Sequence, residues 1–379
     1  MNVESLQYIF IKILRSELTG TDLEHSIKEQ LTPEVISGLY SLSKHHDLAH
    51  IVANALYKCG LLTNDELLKK FQKEQILSVY RNEQMKYVYN EICETFEEAN
   101  IKYIPLKGSV IRPYYPEESM RTSCDIDMLI QEENLDTAVE KLKAKGYQFK
   151  QKSYHDVSLF SPANIHLELH FNIFEDIESL DNVLKDAWQY AIPVQGCQLE
   201  FTKEFFLFHM FAHMSYHFLR GGCGVRSLMD VWVMEHKMGI SYPQAKEFLK
   251  KANIYQFAEE ISKLVDICFS DADGDVFYDT MMSYIVNGGV YGSLQNKIAV
   301  AKAKNNSNFL YMLKGVFLPY RRMILLYPTL KKIPILLPLY WIFRVLKKFQ
   351  KALLEIKTVT NMSDDKVDTM KEIKLRLGL

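Results

Sequence analysis

Two changes of hydrophobic period divide this chain and limit what it can fold into. Up to about residue 98, apolar residues recur at helical spacing, as in Leu6, Ile9, Ile13 and Leu14, and again in Leu48, Ile51 and Leu56. Asn64 stands where an N-cap would open a long helix running to about Glu98. From Asn100 the period shortens to two. Ile101–Leu106, Asp125–Ile130, Tyr147–Gln151, Tyr154–Phe160 and Ile165–Ile173 read as strands, about five in all. One helix, Asn134–Lys145, lies between them and ends at Gly146. After about Ile177 helical spacing returns, with helices at Phe205–Leu219 and Ser227–Lys237 on either side of a break at Gly221, Gly222 and Gly224. This mixed order predicts an α+β fold: a small mixed sheet flanked by N-terminal and C-terminal helical regions. The expected units are 1–98, 99–176 and 177–379, the last carrying a basic tail segment.

Nearly half the residues are hydrophobic and 24% are charged, which excludes a disordered chain. The net charge of −2 selects no class of partner, but its distribution is uneven. Between Lys297 and Lys357 there are thirteen Lys and Arg and one acid, Glu355. Such clustering favours anionic partners. The six cysteines form no CxxC pair, so no zinc knuckle or thioredoxin-like site is expected. Scattered cysteines in a chain of this size read as reduced thiols, and the expected location is cytoplasmic. Met1–Leu18 carries Glu4 and Glu17 and reads as an amphipathic helix, not a signal peptide. No run reaches the roughly 20 apolar residues of a membrane span. Ile333–Val345 comes nearest, but Pro334 and Pro338 interrupt it and Lys331, Lys332 and Arg344 flank it. Peripheral membrane contact through 315–350 fits that pattern; crossing a bilayer does not.

The chemistry-bearing residues lie within the strand-rich part. Lys107-Gly108-Ser109 follows the first strand directly. Glycine there lets a backbone approach a phosphate, and a following helix would aim amides at the anion. The bland alternative is an ordinary strand-to-helix turn. Asp125 and Asp127 alternate on one strand and therefore share a face. Two carboxylates so close repel unless a cation separates them. Mg²⁺ or Mn²⁺ held by such acids together with substrate phosphates is a familiar arrangement. An exposed edge-strand pair is the alternative. His166, Glu168 and His170 share one face of a later strand. Glu168 supplies a third carboxylate that could also accept a proton. A His-Glu-His metal site on that strand is the competing reading.

Taken together, the strand, Gly-Ser turn, Asp-x-Asp strand and later single carboxylate resemble the polymerase-beta-type nucleotidyltransferase superfamily. More narrowly, Pro105–Gly108, Tyr114-Tyr115-Pro116, Arg121, Asp125–Ile130 and Leu167–His170 resemble a bacterial family described as uncharacterised nucleotidyltransferases. The resemblance extends to His213, His217, Arg226 and Asp230 and to the stretch from Tyr327-Pro328 to Leu337-Pro338. It implies that Asp125, Asp127 and Glu168 bind the metals and that Gly108 and Ser109 touch an NTP triphosphate. Lys107 or Arg121 would offset its charge. Arg121 could reach phosphate or pair with the acids themselves. The gap from Ser109 to Asp125 is longer than the minimal superfamily pattern.

His209, His213 and His217 recur every four residues. The spacing suits zinc, but no HExxH or fourth ligand accompanies it, so a buried or site-facing stripe is expected. Arg226 and Asp230, at i and i+4, can pair. The expected activity is transfer of a nucleoside monophosphate from an NTP to an acceptor of unknown identity: small molecule, peptide or protein. A catalytically idle nucleotide-binding regulator and an RNA-modifying, toxin-type transferase are the alternatives. Nucleic acid is not favoured, because Tyr320, Tyr327, Tyr340 and Trp341 sit among aliphatic residues. Asparagine in place of Asp125 or Asp127 is expected to abolish turnover and leave the fold intact.

Overall fold

The structure is a computed structural model that describes residues 3–270 and 272–290, single positions between 292 and 300, parts of 317–347, and 364–379. The basic stretch 297–357 therefore lies partly outside the described residues.

Helices α1 (Val3–Thr19), α2 (His25–Lys28), α3 (Pro33–His45) and α4 (Ala49–Lys58) precede the long α5 (Asp65–Glu98). Asn64 opens α5 as its position predicts, its side chain accepting from the amides of Glu66 and Leu67 at 3.0 Å. The sheet then begins with β1 (Tyr103–Pro105), followed by the single turn α6 (Gly108–Ile111). β2 (Asp125–Ile130), α7 (Leu135–Ala144), β3 (Gln148–Lys152), β4 (Asp156–Phe160) and β5 (His166–His170) come next.

After α8 (Glu178–Leu184) the structure departs from the sequence reading. Two more strands, β6 (Ala191–Gln195) and β7 (Gln198–Phe201), form a hairpin within the part expected to be helical. β7 pairs with β1 in parallel, giving a seven-stranded mixed sheet in the order β3-β4-β5-β2-β1-β7-β6. The sheet therefore continues past residue 176. The reason the hairpin escaped detection is physical. β6 is an edge strand, largely exposed, and carries Pro193, so it shows neither the alternation nor the composition of a buried strand. Its turn needs a glycine. Gly196 has a φ of +55°, and a Cβ there would collide with the Glu97 carboxylate, which accepts from the Cys197 amide at 2.9 Å.

Period-two alternation assigns the faces of the sheet. Ile126, Met128, Ile130, Leu167 and Leu169 point into a core closed by Met85, Val88, Ile92 and Phe96 of α5 and by Leu135, Ala138 and Leu142 of α7. Asp125, Asp127, His166, Glu168 and His170 are thereby turned to the opposite face. That face is covered by α9 (Lys203–Leu219) and α10 (Val225–His236).

Helices α11 (Lys246–Lys251), α12 (Tyr255–Phe269) and α13 (Val276–Gly288) follow. α1 packs on α12, and Ile9, Phe10 and Ile13 share one core with Phe257, Ile261 and Val265. The N-terminal and C-terminal helices thus form a joint body against the functional face. Near the end, Val367, Met370, Ile373 and Leu377 are the buried stripe of a helix, Asp364–Leu377, that also packs on α12. No helix among the described residues is long and apolar enough to cross a membrane.

Candidate functional site

β2 and β5 are parallel neighbours in a register that sets Asp125 opposite His166 and Asp127 opposite Glu168. Asp125, Asp127, Glu168 and His170 line a cleft of about 390 Å³ between the sheet and α9–α10, while His166, on the same strand face, lies outside its lining and pairs with Ser158 at 2.6 Å. Ligand atoms of Asp125, His166 and Glu168 lie within 4.8 Å of one another, as do those of Asp127, Glu168 and His170. Glu168 belongs to both groups. The carboxylates and the His-Glu-His run, competing readings of the sequence, are thus parts of one cluster.

Repulsion among the acids is offset by two cations. Lys107 Nζ stands 3.0 Å from Asp127 Oδ1, and His170 Nε2 donates to the same oxygen at 2.9 Å. Burial raises the Asp127 carboxyl, but Lys107 and the His170 hydrogen bond outweigh it and hold Asp127 well below the usual carboxylate range. Burial also opposes charge on Lys107, yet Asp127 and Asp125 raise its ammonium above the ordinary lysine value. His170 shows the same contest: burial lowers it, and the bonds to Asp127 and Glu168 lift it to about 9. Glu168 is lowered, first by the His170 hydrogen bond. Asp125 differs. Burial and the neighbouring Asp127 charge both push it up. The two aspartates, equivalent in the sequence, are electrostatically unlike.

Lys107 reaches Asp127 from a backbone with φ +46° and ψ −114°, a region L-residues rarely adopt. Strain of this kind, on the order of 1–3 kcal/mol, persists where surrounding structure imposes it. Here β1 enters on one side, and on the other the Lys107 carbonyl accepts from the amides of Val110 and Ile111 at 3.1 Å. Gly108 lines the cleft; Ser109 does not, and its amide is bonded to the Leu106 carbonyl. The helix that follows is one turn long, so its dipole is small and most of its first amides are already bonded within the turn.

Arg121 also lines the cleft, but its partner is neither a neighbouring acid of the sheet nor open space. Nε and Nη2 donate to the two oxygens of Asp230 on α10 at 2.8 and 2.9 Å, and Nη1 donates to the Thr122 carbonyl. Tyr115 donates to Asp230 at 2.6 Å. The expected Arg226–Asp230 pair is therefore replaced. Arg121 offers two parallel N–H groups to one carboxylate, whereas Arg226 turns to the Thr122 carbonyl and toward Asp47 at 3.9 Å.

The opposite wall carries the histidine stripe, joined to an acid that the sequence pattern does not signal. Glu175, after β5, accepts from His213 Nδ1 at 2.7 Å, and His213 Nε2 lies 3.0 Å from His217 Nε2. Burial holds His213 well below the usual histidine value and His217 and His209 down at about 3, so all three are neutral at pH 7. A carboxylate can only accept, which places the His213 proton on Nδ1 and makes His217 the donor to His213 Nε2. The stripe faces the site, as expected, and among the described residues it is not one of the groups whose ligand atoms all lie within 4.8 Å of one another. His209 is buried at the base of this wall. Glu175 was not predicted; its link to His213 spans 38 residues, which no local spacing signals.

No curated protein and no solved structure matches the chain. A family model described as "Uncharacterised nucleotidyltransferase" matches residues 33–270, from α3 through α12, well over half of the 379 residues. The match takes in the acidic cluster, the Lys107–Gly108 turn and the histidine wall alike, and the chain therefore belongs to the uncharacterised nucleotidyltransferase family.

Proposed function

We propose that the protein transfers a nucleoside monophosphate from an NTP to an acceptor (small molecule, peptide or protein) with the help of divalent cations, Mg²⁺ or Mn²⁺. The observation that carries this reading is the overlap of two ligand groups through Glu168, three carboxylates on one face of two parallel strands. Each group also includes a histidine, but the three carboxylates supply the oxygen donors that a hard divalent cation takes. Asp125, Asp127 and Glu168 would hold such ions, which when bound would offset charge on the triphosphate and on the attacking and leaving oxygens.

The chain's own groups divide the remaining work. Lys107 and Gly108 form the triphosphate end, with the lysine ammonium set between the acids and the phosphates. Glu168 faces the acceptor and takes its proton as the acceptor oxygen attacks the α-phosphorus and pyrophosphate leaves. Arg121 is assigned a positioning role through Asp230, because its donors are already engaged. His170 is committed to Asp127, so the acceptor wall is formed by Glu175, His213 and His217 on the helical side. Acceptor identity accordingly resides in α9 and its surroundings.

Calorimetry with each NTP should show binding that needs Mg²⁺ and is lost on chelation. Labelled NTP incubated with cell extract should then yield a labelled product. Binding without transfer to any acceptor would favour the idle regulator, and a product destroyed by RNase would favour RNA modification. NTP affinity indifferent to Mg²⁺ would overturn the metal assignment.

Gly108 offers a cleaner probe of the triphosphate end. A Cβ there would meet Arg121 Nη1 at 3.5 Å and Ser123 Oγ at 3.7 Å, ordinary contacts. Gly108→Ala should therefore fold normally while weakening NTP binding about tenfold, because the added methyl would hold a phosphate away from the backbone amide and weaken one hydrogen bond to a charged group. Unchanged affinity would remove Gly108 from the phosphate site.

A further inference from the structure

The helix Leu337–Lys347 is built inside out. Leu339, Ile342, Phe343 and Leu346 stand at i, i+3, i+4 and i+7, the apolar stripe that normally faces a core. Here they are 61%, 59%, 53% and 66% exposed. Ile335, at 84%, extends the stripe by one turn. Contacts on the other side set this orientation. The Trp341 indole donates to the Leu318 carbonyl at 3.0 Å and its ring packs edge-on against Phe317, while the Tyr340 hydroxyl pairs with Thr329 at 2.7 Å. The aromatic side is thus anchored to residues 317–329 of the same segment and the aliphatic side is presented outward.

We propose that this helix lies flat in the headgroup region of an anionic lipid bilayer, docking the protein there as a peripheral membrane protein. Eleven residues make a helix of about 16 Å, roughly half the thickness of a hydrocarbon core, so it lies in the plane of the membrane. Charge selects the occupant. Lys331 and Lys332 are exposed at the start of the apolar stripe, and the sequence from Lys297 to Lys357 holds thirteen basic residues against one acid. Anionic headgroups attract such a segment. A second copy of the chain would bring two like-charged segments together. The proposal does not depend on the nucleotidyltransferase reading, since nothing in it draws on the cleft.

The test is cosedimentation of the full chain with vesicles of equal phosphatidylglycerol and phosphatidylcholine, and with phosphatidylcholine alone. Binding to the anionic vesicles is expected, weakening roughly several-fold between about 0.1 and 0.5 M salt as screening shortens the Debye length. Ile342→Gln with Leu346→Gln should lower partitioning by about tenfold or more, since two aliphatic side chains lose their burial. Lys331→Gln with Lys332→Gln should reduce the preference for anionic over neutral vesicles. Both variants alter exposed positions, and unchanged circular dichroism and thermal unfolding would verify that they fold. Three results would overturn the proposal: wild type that does not sediment with anionic vesicles, an apolar double variant that binds as wild type does, or a wild-type dimer that the variant makes monomeric without vesicle binding.

Discussion

Asp127→Asn is expected to lower turnover by about 10³-fold or more, the scale on which removal of a charge-stabilising group acts in such sites. Asp125→Asn should do the same to turnover. Their effects on folding should differ, although the sequence treats the two acids alike. Asp127 is 5% exposed and is the shared partner of Lys107 and His170. Its replacement leaves a buried lysine ammonium without its hydrogen-bonded counter-charge, and breaking a buried pair in this way costs on the order of 3 kcal/mol. Asp125 is instead pushed up by burial and by Asp127, so neutralising it relieves repulsion and should leave stability unchanged or slightly higher. Labelled-NTP turnover and urea unfolding midpoints of both variants measure this contrast. Near-wild-type turnover of either variant would remove the carboxylate cluster from the chemistry. Equal stability of the two would show that Lys107 does not depend on Asp127.

Arg121→Ala should destabilise the protein by about 3–5 kcal/mol, the cost of leaving a buried carboxylate without its partner. The pair joins the loop before β2 to α10 across 109 residues, with Tyr115 bonded to the same carboxylate. Asp230→Ala should be comparably harmful, because it strands a buried guanidinium. The double variant should lose clearly less than the sum, since it strands neither charge. A chemical-denaturation cycle measures the coupling. Additive losses would show that Arg121 and Asp230 act independently. Arg121→Lys distinguishes a pin from a phosphate contact: lysine keeps the charge but not the parallel donors, so stability should fall further than NTP affinity. The opposite ordering would return Arg121 to the triphosphate.

The described residues agree with the sequence where the signal was local. The Asn64 cap, the long α5, the β2 and β5 strands and the α+β class follow from spacings of two to four residues. The sharing of a face by Asp125 and Asp127, and by His166, Glu168 and His170, follows from the strand period alone. The β6–β7 hairpin was not legible, because an exposed edge carrying a proline bears no burial pattern.

What the sequence by itself determined, then, is which side chains each element presents together, since helix and strand geometry are properties of adjacent residues. What only the tertiary structure decided is which elements face one another. The parallel register that sets Asp127 beside Glu168, the capture of Asp230 by Arg121 instead of Arg226, and the Glu175–His213 link all join residues that packing alone brings together. Such pairs are chosen by competition for buried charge: a donor or acceptor removed from water takes whichever partner the packed elements place in reach, and no local spacing records that outcome.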